Sequence, residues 1–165
     1  MAEKNFYDPI TKHLGELLSA VASGFCLETV ATKGLTERAK QAIPQGREIV
    51  FAFMKDRPDI IGVVDGQFSK HLLVAEVKEN SPTLEDIYQI KRYKEVFEAR
   101  YAFLITVGPI KEGLKRLCRN TPTILRSLAD DSFRFLVLAQ FWPGTAQFID
   151  WFAANPFEQD FYWKS

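Results

Sequence analysis

An apolar run that ends in two opposite charges constrains this chain more than any other feature: Leu72-Leu73-Val74-Ala75, then Glu76-Val77-Lys78. The four apolar residues before Glu76 show no polar alternation, which is the pattern of a strand covered on both faces. Side chains two residues apart in a strand project from the same face, so Glu76 and Lys78 point together while Val77 points away. Such a strand has no ordinary reason to carry a charge pair. Upstream, Arg57-Pro58-Asp59-Ile60-Ile61-Gly62-Val63-Val64 is a second short apolar run that opens with an acid. Two carboxylates and a lysine therefore bracket a β-hairpin.

The surrounding chain reads as alternating helices and strands. From Tyr7 to Ala22 the apolar residues Ile10, Leu14, Leu17, Leu18 and Val21 recur at helical spacing, with Asp8 as cap and Pro9 in the first turn. Phe25 to Thr32 reads as a strand or extended segment, and Thr36 to Ile43 as a short helix stopped by Pro44 and Gly46. Arg47 to Met54 is a strong strand pattern. With the strands at Asp59 and Leu72 it predicts a three-stranded antiparallel meander, turned at Asp65-Gly66. Ser81 or Thr83 is the candidate cap, with Asp86 placed to complete a Thr-x-x-Asp box, ahead of a helix over 84–98. Strands follow at 101–107 and 133–141, with a helix over 110–119 between them. Strand, helix, strand in that order predicts a parallel crossover grafted onto the meander, hence a mixed α/β (α+β) sheet. The segment 142–165 is dense in aromatics, which usually bury in a core or a dimer interface and less often form a base-stacking surface.

Composition sets outer limits. Lys plus Arg and Asp plus Glu are 21 each among 165 residues, so no global charge announces a polyanion partner. The distribution is uneven, with eight basic residues against five acids over 83–119. The two cysteines and two histidines have no metal-ligand spacing, which argues against structural zinc and for free thiols in a reducing cytoplasm. No apolar run is long enough to span a bilayer, so a cytoplasmic protein without a membrane partner is expected. Walker-type phosphate loops, Gly-x-Ser-x-Gly elbows and His-Glu-x-x-His motifs are absent from the sequence.

The residue types at the hairpin suit phosphodiester hydrolysis, which needs a metal ion to polarise the phosphate and activate a water, and a cation to hold that water. Hard cations take carboxylate, carbonyl and water oxygens. Asp59 and Glu76 can supply two carboxylates, the Val77 backbone carbonyl a third oxygen, and Lys78 the cation. Gln89 and Tyr93, at i and i+4 on the next helix, share a sheet-facing stripe with Val96, so the Gln89 amide should meet Glu76 or Lys78.

Pro58-Asp59, Glu76-Val77-Lys78 and Gln89-x-x-x-Tyr93, set in the order helix, three strands, helix, strand, resemble the PD-(D/E)XK nuclease superfamily with its restriction-endonuclease-like fold. The resemblance covers about residues 7–107 and leaves 108–165 as a variable C-terminal helix, strand and aromatic tail within a single domain. It implies an αβββαβ core with a central mixed sheet of four to five strands flanked by helices. It further implies a Mg²⁺- or Mn²⁺-dependent deoxyribonuclease in which Asp59 and Glu76 bind metal, Lys78 is the catalytic lysine, and Gln89 and Tyr93 match the motif of RecB-type exonucleases. Glu16 matches the acid that many members carry on the first helix. Lys91, Arg92, Lys94 and Arg100, beside Tyr93, are the candidates for contact with DNA, and a homodimer or a larger restriction or repair complex is the expected setting.

Each residue also has a plain reading: an exposed ion pair for Glu76 and Lys78, a turn residue for Asp59, an ordinary helix face for Gln89 and Tyr93, a helix-edge acid for Glu16, and a solvated basic face for the lysines and arginines. The alternative function is a catalytically inactive domain of the same fold that serves as a nucleic-acid-binding or assembly subunit, motivated by the zero net charge and the aromatic tail.

Overall fold

The computed structural model describes residues 2–31, 34–47, 49, 53–127, 130–131 and 133–164. Its elements in chain order are α1 (Lys4–Val21), β1 (Phe25–Thr29), α2 (Glu37–Ala42), β2 (Ile60–Asp65), β3 (Lys70–Lys78), α3 (Leu84–Val96), β4 (Tyr101–Thr106), α4 (Glu112–Asn120), β5 (Phe135–Trp142), β6 (Gln147–Phe152) and the single turn α5 (Phe161–Lys164). The six strands form one open sheet in sequence order. β1, β2 and β3 are antiparallel neighbours, β3, β4 and β5 run parallel, and β6 returns antiparallel to β5.

Alternation along the central strands sorts their side chains into two cores. Leu72 and Val74 of β3 join Ala102, Leu104, Leu136 and Leu138 beneath Ile87, Ile90, Tyr93 and Phe97 of α3. Leu73, Ala75 and Val77 join Tyr101, Phe103, Ile105 and Val137 against Phe6, Tyr7, Ile10, Leu14 and Leu18 of α1. The doubly covered strand expected at Leu72 is therefore present, buried continuously from Leu72 to Val77.

Several boundaries differ from the sequence pattern for physical reasons. α1 begins at Lys4, with Pro9 inside it and without a side-chain cap. Short backbone bonds from Asn5 to Ala2 and from Phe6 to Glu3 start the helix, and burial of Phe6 and Tyr7 holds its first turns. Half of the strand expected over 47–54 lies outside the described residues. Among its described members, Arg47, Ile49, Phe53 and Met54 are not in a strand, and the place beside β2 belongs to β1. The sheet gains a sixth strand, β6, from the aromatic segment. Its register slips opposite Gln140 and Phe141, which breaks the alternation a strand pattern depends on.

The aromatics around β6 mostly pack inward. Phe157 stacks on Trp163 with ring centroids 5.0 Å apart, and Phe103 meets Phe157 at 6.0 Å. The buried Trp163 indole donates to the Pro156 carbonyl at 3.0 Å, and the Tyr101 hydroxyl to the Tyr162 carbonyl at 2.6 Å. This cluster packs on Tyr101, Phe103 and Phe135 in the same core that α1 covers. Among the described residues no helix is long and apolar enough to cross a membrane.

Where β3 and β4 end, the chain is pinned by close backbone approach. Val107 donates to the Lys78 carbonyl at 2.9 Å and Gly108 to the Glu79 carbonyl at 3.0 Å. A Cβ on Gly108 would stand 2.2 Å from the Ser81 nitrogen, so the contact tolerates only glycine. Gly108→Ala is expected to destabilise the fold by about 2 kcal/mol, in the range of overpacked sites. In urea unfolding the midpoint should fall with an unchanged slope, and a midpoint equal to wild type would show that the loop yields freely.

Candidate active site

β2 pairs with β3 up to Ile60 opposite Ala75, and one step further the same register sets Asp59 opposite Glu76. The two acids sit at 7% and 4% exposure, so the residues expected to cooperate are brought together and buried. Asp59 lies at a bend just before β2, where its backbone carbonyl accepts from the Val30 amide at 2.9 Å. Its carboxylate is held from two directions. The Tyr7 hydroxyl of α1 donates to Oδ1 at 2.8 Å and the Val77 amide to Oδ2 at 2.7 Å. In a strand, the amide and carbonyl of one residue face the same edge, so the Val77 carbonyl also faces the Asp59 side.

Glu76 is treated differently. Its Oε1 accepts from Lys78 Nζ at 3.1 Å, while Oε2 is one of two buried side-chain polar atoms among the described residues that have no partner. Burial and the neighbouring Asp59 carboxylate push the Glu76 carboxyl up to about 8, against the pull of Lys78. Asp59 is also raised by burial, and the Val77 and Tyr7 donors hold it back. Burial thus favours the protonated form at both acids, and at Asp59 two hydrogen-bond donors oppose it. Burial lowers the Lys78 ammonium, but Glu76 and Asp86 around it raise it by more, so it stays a cation at neutral pH. Asp86 Oδ1 lies 3.9 Å from Lys78 Nζ. The capping box that starts α3, in which Asp86 accepts from the Thr83 amide at 2.8 Å, thus also places a second carboxylate beside the lysine.

The remaining expected residues divide. Gln89 is half-buried and donates to the Tyr93 hydroxyl at 3.3 Å, turning to that phenol rather than to Glu76 or Lys78. Tyr93 is fully buried, close enough to Glu76 for that acid's charge to raise its ionisation behind the larger effect of burial. Its ring belongs to the core between α3 and the sheet. Lys94 is 3% exposed and paired with Asp130 at 2.5 Å. Arg100 is buried too, donating to the Phe133 carbonyl at 3.1 Å. Lys91 is half-buried and donates to the Thr123 carbonyl at 2.7 Å. Arg92 is exposed, lies over the Tyr93 ring at 5.7 Å and approaches Asp56 at 3.9 Å. It is the one residue of the proposed basic set that faces solvent.

Glu16 is exposed and sits with His13 at 3.3 Å. It stands nine residues beyond Tyr7, about 13 Å along the helix, and so does not join the acids. Glu3, the cap residue just before α1, is the acid at this end of the helix whose charge bears on the site, as the smallest of the influences that raise Asp59, Glu76 and Lys78. Sequence reading passed over Glu3 because its helix pattern began at Tyr7. Tyr7 itself carried a signal, a phenol on the same stripe as Ile10, Leu14 and Leu18, where a buried hydroxyl needs an acceptor. Among the described residues no three His, Cys, Asp or Glu side chains converge closely enough to form a ready-made metal cluster.

Glu76 titrates near 4.5 when unfolded and near 8 in the fold. Between these values the unfolded chain releases a proton that the folded chain keeps, so stability falls as pH rises. Glu76→Gln is expected to flatten that fall, leaving the variant more stable than wild type above the upper value and similar below the lower one. Thermal melts across pH check this, and parallel wild-type and variant curves would contradict it. No protein-family model, curated protein or solved structure matches the chain.

Proposed function

We propose that this protein is a metal-dependent nuclease that hydrolyses DNA phosphodiester bonds on a restriction-endonuclease-like core. The observation that carries the reading is the buried Asp59–Glu76 pair, with Glu76 Oε2 unpartnered and the Lys78 ammonium against Oε1. A buried acid oxygen without a donor, beside a second acid and a backbone carbonyl, is the oxygen donor set that Mg²⁺ or Mn²⁺ takes. Asp59, Glu76 and the Val77 carbonyl are the residues that would hold the ion. Bound there, it would supply phosphate polarisation and a water of lowered pKa. The DNA substrate comes from the motif resemblance.

The chain's own residues have separable tasks. Asp59, fixed by the Tyr7 and Val77 donors, presents its remaining lone pairs in a set direction. Glu76 holds a proton when no cation is present and releases it on binding one, so cation affinity rises with pH until Glu76 is ionised. Lys78 stays protonated and therefore acts as a donor and charge, not as a base. Only its contact to Glu76 Oε1 is within hydrogen-bonding distance among the described side chains, which leaves N–H groups to orient a water or a phosphate oxygen.

A second reading, a non-catalytic nucleic-acid-binding or assembly subunit, draws on the depth of the acids, at 7% and 4% exposure. Titration with Mn²⁺ separates the two, because only a working carboxylate site binds the ion and loses it in Glu76→Ala.

The reading is tested by incubating the protein with Mg²⁺ or Mn²⁺ and single-stranded, duplex or branched DNA. Asp59→Ala and Lys78→Ala should each lower cleavage by at least ~10²-fold, the scale set by removing one preorganised charged or polar group. Cleavage by both variants at the wild-type rate would overturn the assignment.

A further inference from the structure

We infer that Tyr7 is the positioning residue of the Asp59–Glu76 site, aiming the Asp59 carboxylate so that it accepts a small, geometrically demanding divalent cation; this rests on the metal reading given above. Tyr7 lies on the inward stripe of α1, 52 positions from the acid its hydroxyl reaches at 2.8 Å. The residue is 7% exposed, and its bond to Asp59 is buried. With the Val77 amide on Oδ2 at 2.7 Å, each Asp59 oxygen has its own fixed donor. A carboxylate clamped on both oxygens cannot turn about its terminal torsion without losing one bond, so the directions of its free lone pairs are set. One clamp comes from the residue that follows Glu76, which locks the second acid to the first. The other comes from a separate helix.

Anchoring α1 does not account for this bond. Phe6, Ile10, Leu14 and Leu18 already bury that helix against the sheet. An aromatic without a hydroxyl would pack as well if Asp59 were not there. The phenol suits the task because its single O–H donor sits at the end of a rigid ring held in the same core as Ile10, Leu14 and Leu18.

Positioning makes a prediction that packing does not. Mg²⁺ requires near-ideal octahedral geometry at short distances, whereas Ca²⁺ accepts irregular, longer shells. Loosening Asp59 should therefore penalise Mg²⁺ more than Ca²⁺. The experiment is calorimetric titration of the full chain with Mg²⁺, Mn²⁺ and Ca²⁺, comparing wild type, Tyr7→Phe and, as a packing control on the same helix face, Leu14→Ala, with melting followed in the same samples. Tyr7→Phe should weaken Mg²⁺ and Mn²⁺ about 10- to 100-fold, the range for losing a group that orients a ligand. Ca²⁺ should weaken less, and Leu14→Ala should lower the melting temperature while keeping the Mg²⁺ to Ca²⁺ ratio of wild type. Equal Mg²⁺ affinity in wild type and Tyr7→Phe overturns the role of Tyr7 and leaves the metal reading intact. A uniform loss for all three ions, matched by Leu14→Ala, shows a structural bond and also overturns it. Absence of binding by the wild type overturns the metal reading and this inference together.

Discussion

Burial of Glu76 in the central strand is the constraint on which the site and its surroundings depend. β3 lies between two strands and beneath helices on both faces, buried from Leu72 to Val77. A carboxylate in such a position loses its hydration, and an ion pair repays that loss only with good geometry and further hydrogen bonds. Lys78 supplies one contact, to Oε1. Oε2 receives none, and the charge of a second acid, Asp59, adds to the cost. The fold answers with a retained proton, not with a partner, and a proton held near neutral pH is one that a cation can displace.

The elements around β3 keep this arrangement in place. β4 fixes the end of the strand through the Val107 and Gly108 amides. α3 begins beside it with a capping box whose acid also faces Lys78. α1 crosses the other face and sends the Tyr7 hydroxyl to Asp59. The site therefore lies outside the carboxyl ends of the parallel strands, where open α/β sheets leave a crevice. Its residues come from both helical layers, so neither layer can shift without moving a donor or an acid.

Much of this was legible in the sequence, and the losses have physical causes. The unbroken apolar run before Glu76 showed a doubly covered strand, and the Thr83–Asp86 box located the start of α3. Tyr101 to Thr106 was equally clear, being apolar throughout but for its last residue. Asp59 and Glu76 were found because two acids opened and closed apolar runs. α1 was begun too late because Asp8-Pro9 mimics a helix start, while tertiary burial of Phe6 and Tyr7 carries the helix past it. β1 lost its place to Arg47–Met54, whose pattern is more apolar but whose described residues do not pair with β2. β6 was hidden by its register slip. Gln89 was read to the correct face but not to its partner, since a helical stripe gives direction and not the final torsions of a flexible amide.

Comparison with the molecule's other buried charges sharpens what the Asp59–Glu76 pair signifies. Lys94 meets Asp130 at 2.5 Å, and the second oxygen of Asp130 accepts from the Ser127 amide at 2.9 Å. Arg100 donates to the Phe133 carbonyl and meets the His71 ring nitrogen at 2.6 Å. In these places a buried charge is complemented by an opposite charge or by hydrogen-bonding atoms, as structural burial requires. At the end of β3 the chain instead sets two acids together, leaves one oxygen without a donor and spends a tyrosine and a strand amide on directing the other acid. An apolar residue of similar size at Glu76 would remove the repulsion at the loss of one bond, that to Lys78, whereas Asp59 also serves as acceptor for the Tyr7 hydroxyl and the Val77 amide. What such an arrangement leaves is a demand for positive charge that the single lysine beside it, in contact with Oε1 alone, meets only in part.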